Sequence, residues 1–424
     1  MSTSAAARHS VHSITDVRSW HRIIIAFFAV FGLAGTSLIV RLPEIRALLE
    51  VNTAELGLIL VASSIGSLVA LSVVGSAISR WGTKPIILIF CTLYFASFLG
   101  QAFFATIHLV PGYVVAAILA GFSAGAADVS INVDGSAIEK AIKRNALPRM
   151  HAAFSFGALG GAAIGTFATS INFPLIWQVL ILVVLSFALP LGAARILPAD
   201  NGRESAADKA AAAEPTLDTA GVAIKQKHWI TWTLIALGLG ILGMTLGEGA
   251  SNDWLTLAVV DDYKQSTTVA GSAYSVLLLS MALTRFFGGN LADRFGRALT
   301  LRATALAGII GLITIIAGVN FSIAFAFIGA ALWGAGVALA FPLFLSAAGE
   351  QENPAKKVAL VTTFGYAAFL VGPPLLGLLG QAWGLTNMYW VITLFLLMSF
   401  IVAGAAGNRR NRKSGAQPLE VDVL

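Results

Sequence analysis

Apolar residues are grouped along the chain into twelve stretches, each about as long as the roughly 20-residue helix that crosses a bilayer core. We predict membrane-spanning helices over 21–40, 54–78, 85–107, 112–133, 150–171, 174–194, 229–252, 269–291, 299–319, 322–346, 357–381 and 385–406. A polar, alanine-rich stretch near the middle separates the sixth from the seventh. The pattern therefore predicts an all-α membrane protein with a tail (1–20), a six-helix half (21–194), a linker (195–228), a second half (229–406) and a second tail (407–424).

The two predicted halves carry the same landmarks at a constant offset of 214 residues. Three residues at or just after the end of the second span recur at the end of the eighth, and the pairs are Gly75 with Gly289, Arg80 with Arg294, and Gly82 with Gly296. Gly57 and Gly271, upstream of these connections, keep the same offset. Two copies of a six-helix unit are typical of a secondary transporter with a central site between its halves.

Composition agrees with a polytopic membrane protein. Hydrophobic residues make up 57% of the chain and charged residues 11%, whereas about 25% of the residues in soluble domains are charged. Mean hydropathy is +0.83. The single cysteine, Cys91, excludes an intramolecular disulfide, and no cluster of Cys and His indicates a metal site. We therefore expect neither a metal nor another cofactor.

Basic residues lie mostly on one side of the predicted membrane. Of the 27 Lys and Arg residues, 23 fall on the side of the N-terminus and three on the opposite side. The positive-inside rule then places both termini in the cytoplasm, as an even number of spans requires. The net charge of +6 thus reflects topology and attraction to anionic lipid rather than binding to nucleic acid.

The two connections that repeat are called here the first loop (Gly75–Lys84) and the second loop (Gly289–Arg297). In the second, Gly289 can let backbones approach, Asp293 can pair with an arginine or cap a helix end, and Gly296 suits a tight turn. The first loop has Ser79 in place of the acid. We interpret both as gates rather than substrate ligands, with plain interfacial turns as the alternative. The gating residues are Gly75, Arg80, Gly82, Gly289, Asp293, Arg294, Gly296 and Arg297.

The second loop resembles the signature loop of the major facilitator superfamily. That resemblance implies this family's fold, a substrate cavity near the midplane and alternating access by rocking of two halves related by pseudo-two-fold symmetry. Other segments resemble a fucose-permease-like group of bacterial permeases, which implies a bacterial cytoplasmic membrane. These segments are Leu42–Arg46, Asp128 with Asn132, Arg149–His151, Ser155 with Gly157, and Glu248–Ala250 with Asp253 and Trp254.

Span four carries polar residues on one helical stripe. Spacings of three and four place Gly121, Gly125, Asp128, Asn132, Gly135 and Glu139 on the same face. An ionisable group costs about 2.5–3.5 kcal/mol in the hydrocarbon, so it faces a cavity or a partner. Asp128 is then either a proton-binding carboxylate beside a substrate-binding Asn132, or a structural tie to an adjacent span.

Span five begins with His151 and Ser155, one turn apart. His151 either exchanges protons with Asp128 or is an interfacial histidine that hydrogen-bonds a loop or reaches water. Further along this span, three glycines at four-residue spacing predict close helix packing. These are Gly157, Gly161 and Gly165.

Spans seven and eight contain the remaining candidates. Glu248, with Asn252 one turn on, is either a coupling acid at the outer gate or an acid at the membrane edge together with Asp253. Arg285 either pairs with an acid, extends to the cytoplasmic surface, or binds an anionic substrate. Two segments are expected to loosen, break or kink their helices, namely Gly243 with Gly247 and Gly249 in span seven, and Gly372-Pro373-Pro374 in span eleven.

These observations favour a proton-coupled permease for a small polar solute such as a sugar. The alternative is a proton-antiport exporter of apolar or amphipathic compounds. No Walker-type loop or nucleophile motif indicates an enzyme, and the short connections leave no room for a catalytic domain. A non-transporting sensor is a further alternative. The expected partners are the solute, protons and the bilayer, and a monomer suffices because one chain contains both halves.

Overall fold

The computed structural model describes residues 14–142, 146–203, 231–351 and 354–407, and this part of the chain contains helices but no β-strand. The helices are α1 (Ile14–Ile39), α2 (Leu42–Leu49), α3 (Thr53–Trp81), α4 (Thr83–Thr106), α5 (Val110–Ile142), α6 (Leu147–Ser170), α7 (Leu175–Ile196), α8 (Trp232–Asp261), α9 (Thr267–Phe295), α10 (Arg297–Gly318), α11 (Ile323–Val337), α12 (Ala340–Gly349), α13 (Pro354–Trp383) and α14 (Leu385–Val402). A short 3₁₀ helix, Ala403–Ala406, follows α14.

Twelve of these segments are long and apolar enough to cross a membrane, as the hydropathy pattern predicts. The tenth span combines α11 and α12 as Ile323–Gly349. Two helices run nine residues beyond their predicted ends, α5 to Ile142 and α8 to Asp261. Hydropathy marks only the apolar part of a helix, whereas the backbone hydrogen bonds continue past it.

Both loops are much shorter than predicted. Helix α3 continues to Trp81 and α4 begins at Thr83, so Gly82 alone separates them. Gly296 likewise separates α9 from α10. The two glycines have φ values of +80° and +82°, a region open to glycine at little cost. The predicted tight turn at Gly296 is therefore confirmed, and its counterpart in the first half has the same backbone geometry.

Span ten, rather than span seven or eleven, is the broken one. Helix α11 ends at Val337, and α12 begins at Ala340. Pro342 lacks the N–H group that would bond the carbonyl oxygen of Ala338 four residues earlier, so the helical ladder is interrupted there. A break in either of the two predicted segments is not seen, because α8 runs through its three glycines and α13 runs through Pro373 and Pro374 without interruption. The kink expected at the two prolines stays a prediction.

The chain divides into two compact units. Unit 1 comprises Met1–Val51 and Leu58–Ala223, and unit 2 comprises Asn52–Gly57 and Ile224–Leu424. Most of the predicted linker and both tails lie outside the described residues, whereas α7 and the residues up to Arg203 belong to the part that is described.

In unit 1, α1 packs closely against α6 through small residues. A Cβ atom built on Gly157 would lie 1.9 Å from the carbonyl oxygen of Ala29, and one on Gly161 would lie 2.1 Å from that of Leu33. These distances leave no room for a side chain. The predicted packing role of these glycines is confirmed, and the same contact sets how α1 lies against α6.

In unit 2, α8 occupies the interior, with Trp254 fully buried. Gly243 allows close packing on α14, because a Cβ there would lie 2.3 Å from the carbonyl oxygen of Phe395. Between α8 and α9, the Tyr263 hydroxyl donates to the carbonyl oxygen of Ile315 at 2.5 Å. Burial, together with the nearby carboxylate of Asp262, raises the pKa of Tyr263 to about 12, so the hydroxyl remains a donor at neutral pH.

Candidate functional site

A charge pair joins two helices of unit 2. Arg285 of α9 donates from Nη2 to Oε1 of Glu248 in α8 at 2.6 Å. The side chains are 36% and 17% exposed, respectively. Glu248 lies near the middle of α8, 16 residues after its first residue and 13 before its last. Of the alternatives for Arg285, the structure shows the ion pair.

The same arginine also contacts the break in span ten. Arg285 Nε donates to the carbonyl oxygen of Ala338 at 3.1 Å. Because Pro342 cannot supply a helical N–H to this oxygen, the guanidinium provides a hydrogen bond that the helix lacks. Arg285 thus connects spans seven, eight and ten through two bonds whose acceptors differ, one a titratable carboxylate and the other a backbone carbonyl.

Two more polar residues of α8 lie beyond Glu248. The Tyr274 hydroxyl in α9 donates to Oδ1 of Asn252 at 2.8 Å. Asp253 is half-buried and makes neither a hydrogen bond nor an ion pair with any described residue. Because Arg285 neutralises Glu248, the carboxyl group of Asp253 is left without a basic partner in that part of unit 2.

The glycines of span four allow close packing of α5 on α3. A Cβ on Gly121 would lie 1.8 Å from the carbonyl oxygen of Ser63 in α3, and one on Gly125 would lie 3.0 Å from the hydroxyl of Ser67. Asp128 is exposed. Among the described residues, it hydrogen-bonds only Asn132 on its own helix, whose Nδ2 donates to Oδ1 at 3.1 Å. The structure therefore shows no tie from Asp128 to a neighbouring helix.

His151 and Ser155 lie where α6 meets α1. The His151 ring contacts Phe28 edge-on, with ring centroids 4.9 Å apart. Ser155 donates to the carbonyl oxygen of His151 at 3.2 Å. Glu139, at the end of the stripe in α5, accepts from the backbone N–H groups of Ala146 and Leu147 at 2.7 and 3.0 Å. It therefore caps the start of α6, which is a structural role.

The loop residues differ from expectation in three respects. A Cβ on Gly75 or Gly289 would meet nothing within 4 Å, so close approach does not explain these glycines. Asp293 is exposed and has no hydrogen-bond partner among the described residues; the predicted pairing of this acid is not seen. The acid that pairs with the second loop is Glu350, which follows α12 and accepts a hydrogen bond from Arg297.

Arg80 and Arg294, which lie two residues before Gly82 and Gly296, have equivalent surroundings. Arg80 lies over the Trp81 ring at 5.5 Å, and Arg294 lies over the Phe295 ring at 5.2 Å. Each guanidinium thus contacts the aromatic residue that follows it, and the repeat extends from sequence to side-chain contacts. In the described part of the chain, no group of three or more His, Cys, Asp or Glu residues could hold a metal ion.

Two buried polar centres were missed from the sequence. Asp134 lies one residue past the predicted end of span four and accepts from Trp20 Nε1 at 2.7 Å and from Asn201 Nδ2 at 2.6 Å. Arg41, only 2% exposed, donates to both carboxylate oxygens of Glu44, at 2.5 and 2.8 Å. The three-residue spacing of Arg41 and Glu44 was a signal that could have revealed this pair.

We expect Arg41→Ala to lower the melting temperature of the purified protein. Arg41 also donates to Gln178 Oε1 at 2.6 Å and to the carbonyl oxygen of Phe173 at 2.9 Å, so its loss removes bonds that join the end of α1 to α7. A cost of about 2–3 kcal/mol is reasonable for hydrogen bonds to a charged group. Lys264→Ala, at an exposed position, is the control, and equal melting temperatures in the two variants would contradict the assignment.

Comparisons with known proteins agree with this architecture. A family model described as the Major Facilitator Superfamily matches residues 22–351 and 237–422. The chain is 28% identical over 373 residues to an uncharacterized MFS-type transporter of Yersinia pestis, covering 88% of this chain and 91% of that protein.

Solved structures with the same fold include two sugar symporters. A D-xylose-proton symporter aligns with a TM-score of 0.72 and 15% identity, over 92% of this chain and 97% of that one. The Escherichia coli fucose:proton symporter aligns with a TM-score of 0.59 and 16% identity, over 92% and 98%. At these identities the likeness shows the fold alone.

Proposed function

Because this chain belongs to the Major Facilitator Superfamily and is therefore a secondary transporter in a membrane, we propose that it takes up a small polar solute, such as a sugar or a related metabolite, together with protons. Alternating access is the mechanism proposed. The finding that carries the proposal is the connection of Glu248, Arg285 and the carbonyl oxygen of Ala338 in unit 2.

A proton can change this connection directly. Protonation of Glu248 removes the charge that holds the guanidinium, and Arg285 then keeps only its bond to Ala338 or turns to another acceptor. Since the pair joins α8 to α9 and the broken tenth span, a proton bound at one carboxylate changes the contacts among three spans. Coupling requires this kind of differential contact, because a ligand shifts a conformational equilibrium only by its unequal affinity for the two states.

The charges of unit 2 also support proton coupling. Glu248 and Asp253 lie five residues apart in α8, and Arg285 neutralises only the first. An uncompensated carboxylate within the membrane is costly, and uptake of one proton removes that cost. Glu248 and Asp253 are therefore the two candidate proton-binding groups of this unit.

The polar groups that remain suit a solute with hydroxyl groups. Asp128 and Asn132 present a carboxylate and an amide on α5 of unit 1, and Asn132 supplies both a donor and an acceptor. The names of the D-xylose and fucose symporters show that this fold accommodates proton-coupled sugar transport. We assign solute binding to Asn132 and a role in orienting or charging that site to Asp128.

A ligand screen by thermal shift tests the substrate class. Purified protein is heated with sugars, organic acids, amino acids or antimicrobial compounds, because a ligand at 100 times its Kd stabilises the folded state by about 2.7 kcal/mol. We expect a saturable shift from a polar class, lost in Asn132→Ala but retained in Asn387→Ala, a control at the start of α14 whose amide donates to the Trp383 carbonyl oxygen. Shifts from apolar toxic compounds alone, unchanged in Asn132→Ala, would contradict uptake of a polar solute and favour the exporter.

A further inference from the structure

Asp134 is a fully buried acid eight residues before the end of α5, and its neighbours come from distant parts of the chain. Its exposed fraction is 0%, and its carboxylate accepts from Trp20 in α1 and from Asn201, which follows α7. The Thr83 hydroxyl donates to the carbonyl oxygen of Asn201 at 3.3 Å, so Asn201 lies between Thr83 and Asp134. Among the described residues, no lysine or arginine pairs with it, so uncharged donors satisfy its oxygens.

Asn201 uses both its side chain and its backbone at this place. While its amide donates to Asp134, its carbonyl oxygen accepts from the backbone N–H of Thr83 at 2.8 Å. Thr83 is the first residue of α4, and its N–H has no acceptor within the helix. Asn201 therefore caps the start of α4 with its backbone carbonyl, and the hydrogen bond to Asp134 holds Asn201 in place.

The start of the linker lies directly on the first loop. A Cβ on Gly82 would be 2.9 Å from the carbonyl oxygen of Ala199 and 3.1 Å from that of Asn201. One on Gly202, whose φ is +75°, would be 2.8 Å from the side chain of Ile78. Two glycines thus allow the segment Ala199–Gly202 to pack against the turn between α3 and α4.

The second half builds its loop contact at the equivalent position with different chemistry. Thr83 and Arg297 are separated by the repeat offset of 214 residues, and each directly follows the glycine of its loop. Arg297 pairs with Glu350, which follows the second helix of span ten, the fourth span of its half. In unit 1 an acid of the fourth span is thus connected to the residue after the loop glycine indirectly, through Asn201. In unit 2 the acid that follows the fourth span contacts that residue directly in a partly exposed ion pair.

We propose that Asp134 is a positioning residue that fastens the start of the central linker to the first loop, so that the linker start, this loop and the beginning of α1 form one latch. It supplies the acid that the first loop lacks at Ser79. The described start of the linker, up to Gly202, is then part of this latch. Because the contacts of Asp134 are buried and its donors uncharged, salt leaves this latch intact, whereas it weakens the Arg297–Glu350 pair.

Hydrogen–deuterium exchange of the purified full-length protein tests this proposal. We expect Asn201→Ala and Asp134→Asn to raise amide exchange in residues 79–86 and 197–203 about tenfold or more. Each substitution removes the hydrogen bond between the Asn201 amide and the buried Asp134 carboxylate. Asp200→Ala, at the adjacent and 84% exposed side chain, is the matched control and leaves both segments unchanged. Exchange in α14 reports global stability, so a general loosening of the fold is distinguished from release of the latch.

Two outcomes would overturn the proposal. One is that Asn201→Ala leaves amide exchange unchanged in residues 79–86 and in residues 197–203. This test does not need Asp134→Asn to fold. The other is an equal increase in Asp200→Ala. Raising the salt concentration gives an independent arm, in which exchange in residues 294–300 increases but exchange in residues 79–86 does not; an equal increase in both regions would also contradict a neutral latch in unit 1.

Discussion

Arg285→Ala abolishes pH-driven solute accumulation and lowers the melting temperature, if the connection among spans seven, eight and ten works as described. The substitution leaves Glu248 charged without its partner and leaves the carbonyl oxygen of Ala338 without its donor. The loss of stability is about 2–4 kcal/mol, because a half-buried carboxylate and a carbonyl oxygen both lose a hydrogen bond to a charged group. Transport in proteoliposomes and thermal unfolding of the same preparation measure the two effects.

A double variant separates the two roles of the pair. Glu248→Gln combined with Arg285→Met removes both charges, so it recovers much of the stability lost in Arg285→Ala but none of the proton coupling. Lys264→Ala, at an exposed position between α8 and α9, is the control for loss of a positive charge. Accumulation at the normal rate in Arg285→Ala would contradict any role of this pair in the transport cycle.

Gly161→Ala is expected to prevent α1 and α6 from packing and to leave little folded protein. The new Cβ would lie 2.1 Å from the carbonyl oxygen of Leu33 and 2.5 Å from the hydroxyl of Thr36. Since the nearest atom belongs to a helix backbone, the two helices must separate, at a cost of about 3 kcal/mol or more. The folded fraction after detergent extraction, measured by size-exclusion chromatography and thermal unfolding, reports this effect.

The neighbouring glycine provides a matched control. A Cβ on Gly160 would meet nothing within 4 Å, so Gly160→Ala is expected to be neutral or to stabilise the helix by up to about 1 kcal/mol. The two substitutions differ by one position in one helix and introduce the same methyl group. Equal stability of Gly160→Ala and Gly161→Ala would show that the contact between α1 and α6 is not as tight as described.

The apolar pattern is enough to predict the twelve spans, the turns at the loop glycines and the packing of span five. Each of these depends on a local property, either hydropathy over about 20 residues or the absence of a side chain at a fixed spacing. The ends of helices are harder to predict, because a helix continues into the interface after its apolar residues stop. Asp134 was missed because it lies in the extension of α5 beyond residue 133 and also off the polar stripe of span four, so neither pattern indicated it.

The site in unit 2 depends on features that are not local. Glu248 and Arg285 are recognisable in the sequence as charges within apolar spans, but whether they meet is decided by the rotation and depth of two helices. The break in span ten follows from Pro342, which has a clear chemical meaning in the sequence, whereas the more conspicuous Pro373 and Pro374 lie within an unbroken helix. Glycines in α8 serve close packing instead of a break, since neighbouring helices fill the space beside them.

The sign of the pH change when solute is added tests the central claim most directly. Proteoliposomes in weakly buffered medium, with no ion gradient, receive D-xylose, L-fucose or whichever solute stabilises the protein in the thermal screen. Proton-coupled uptake predicts that the external medium becomes more alkaline as protons enter with the solute, and that Glu248→Gln or Asp253→Asn loses this change. Acidification of the medium would instead show exchange of solute for protons, and solute entry with no pH change would contradict proton coupling altogether.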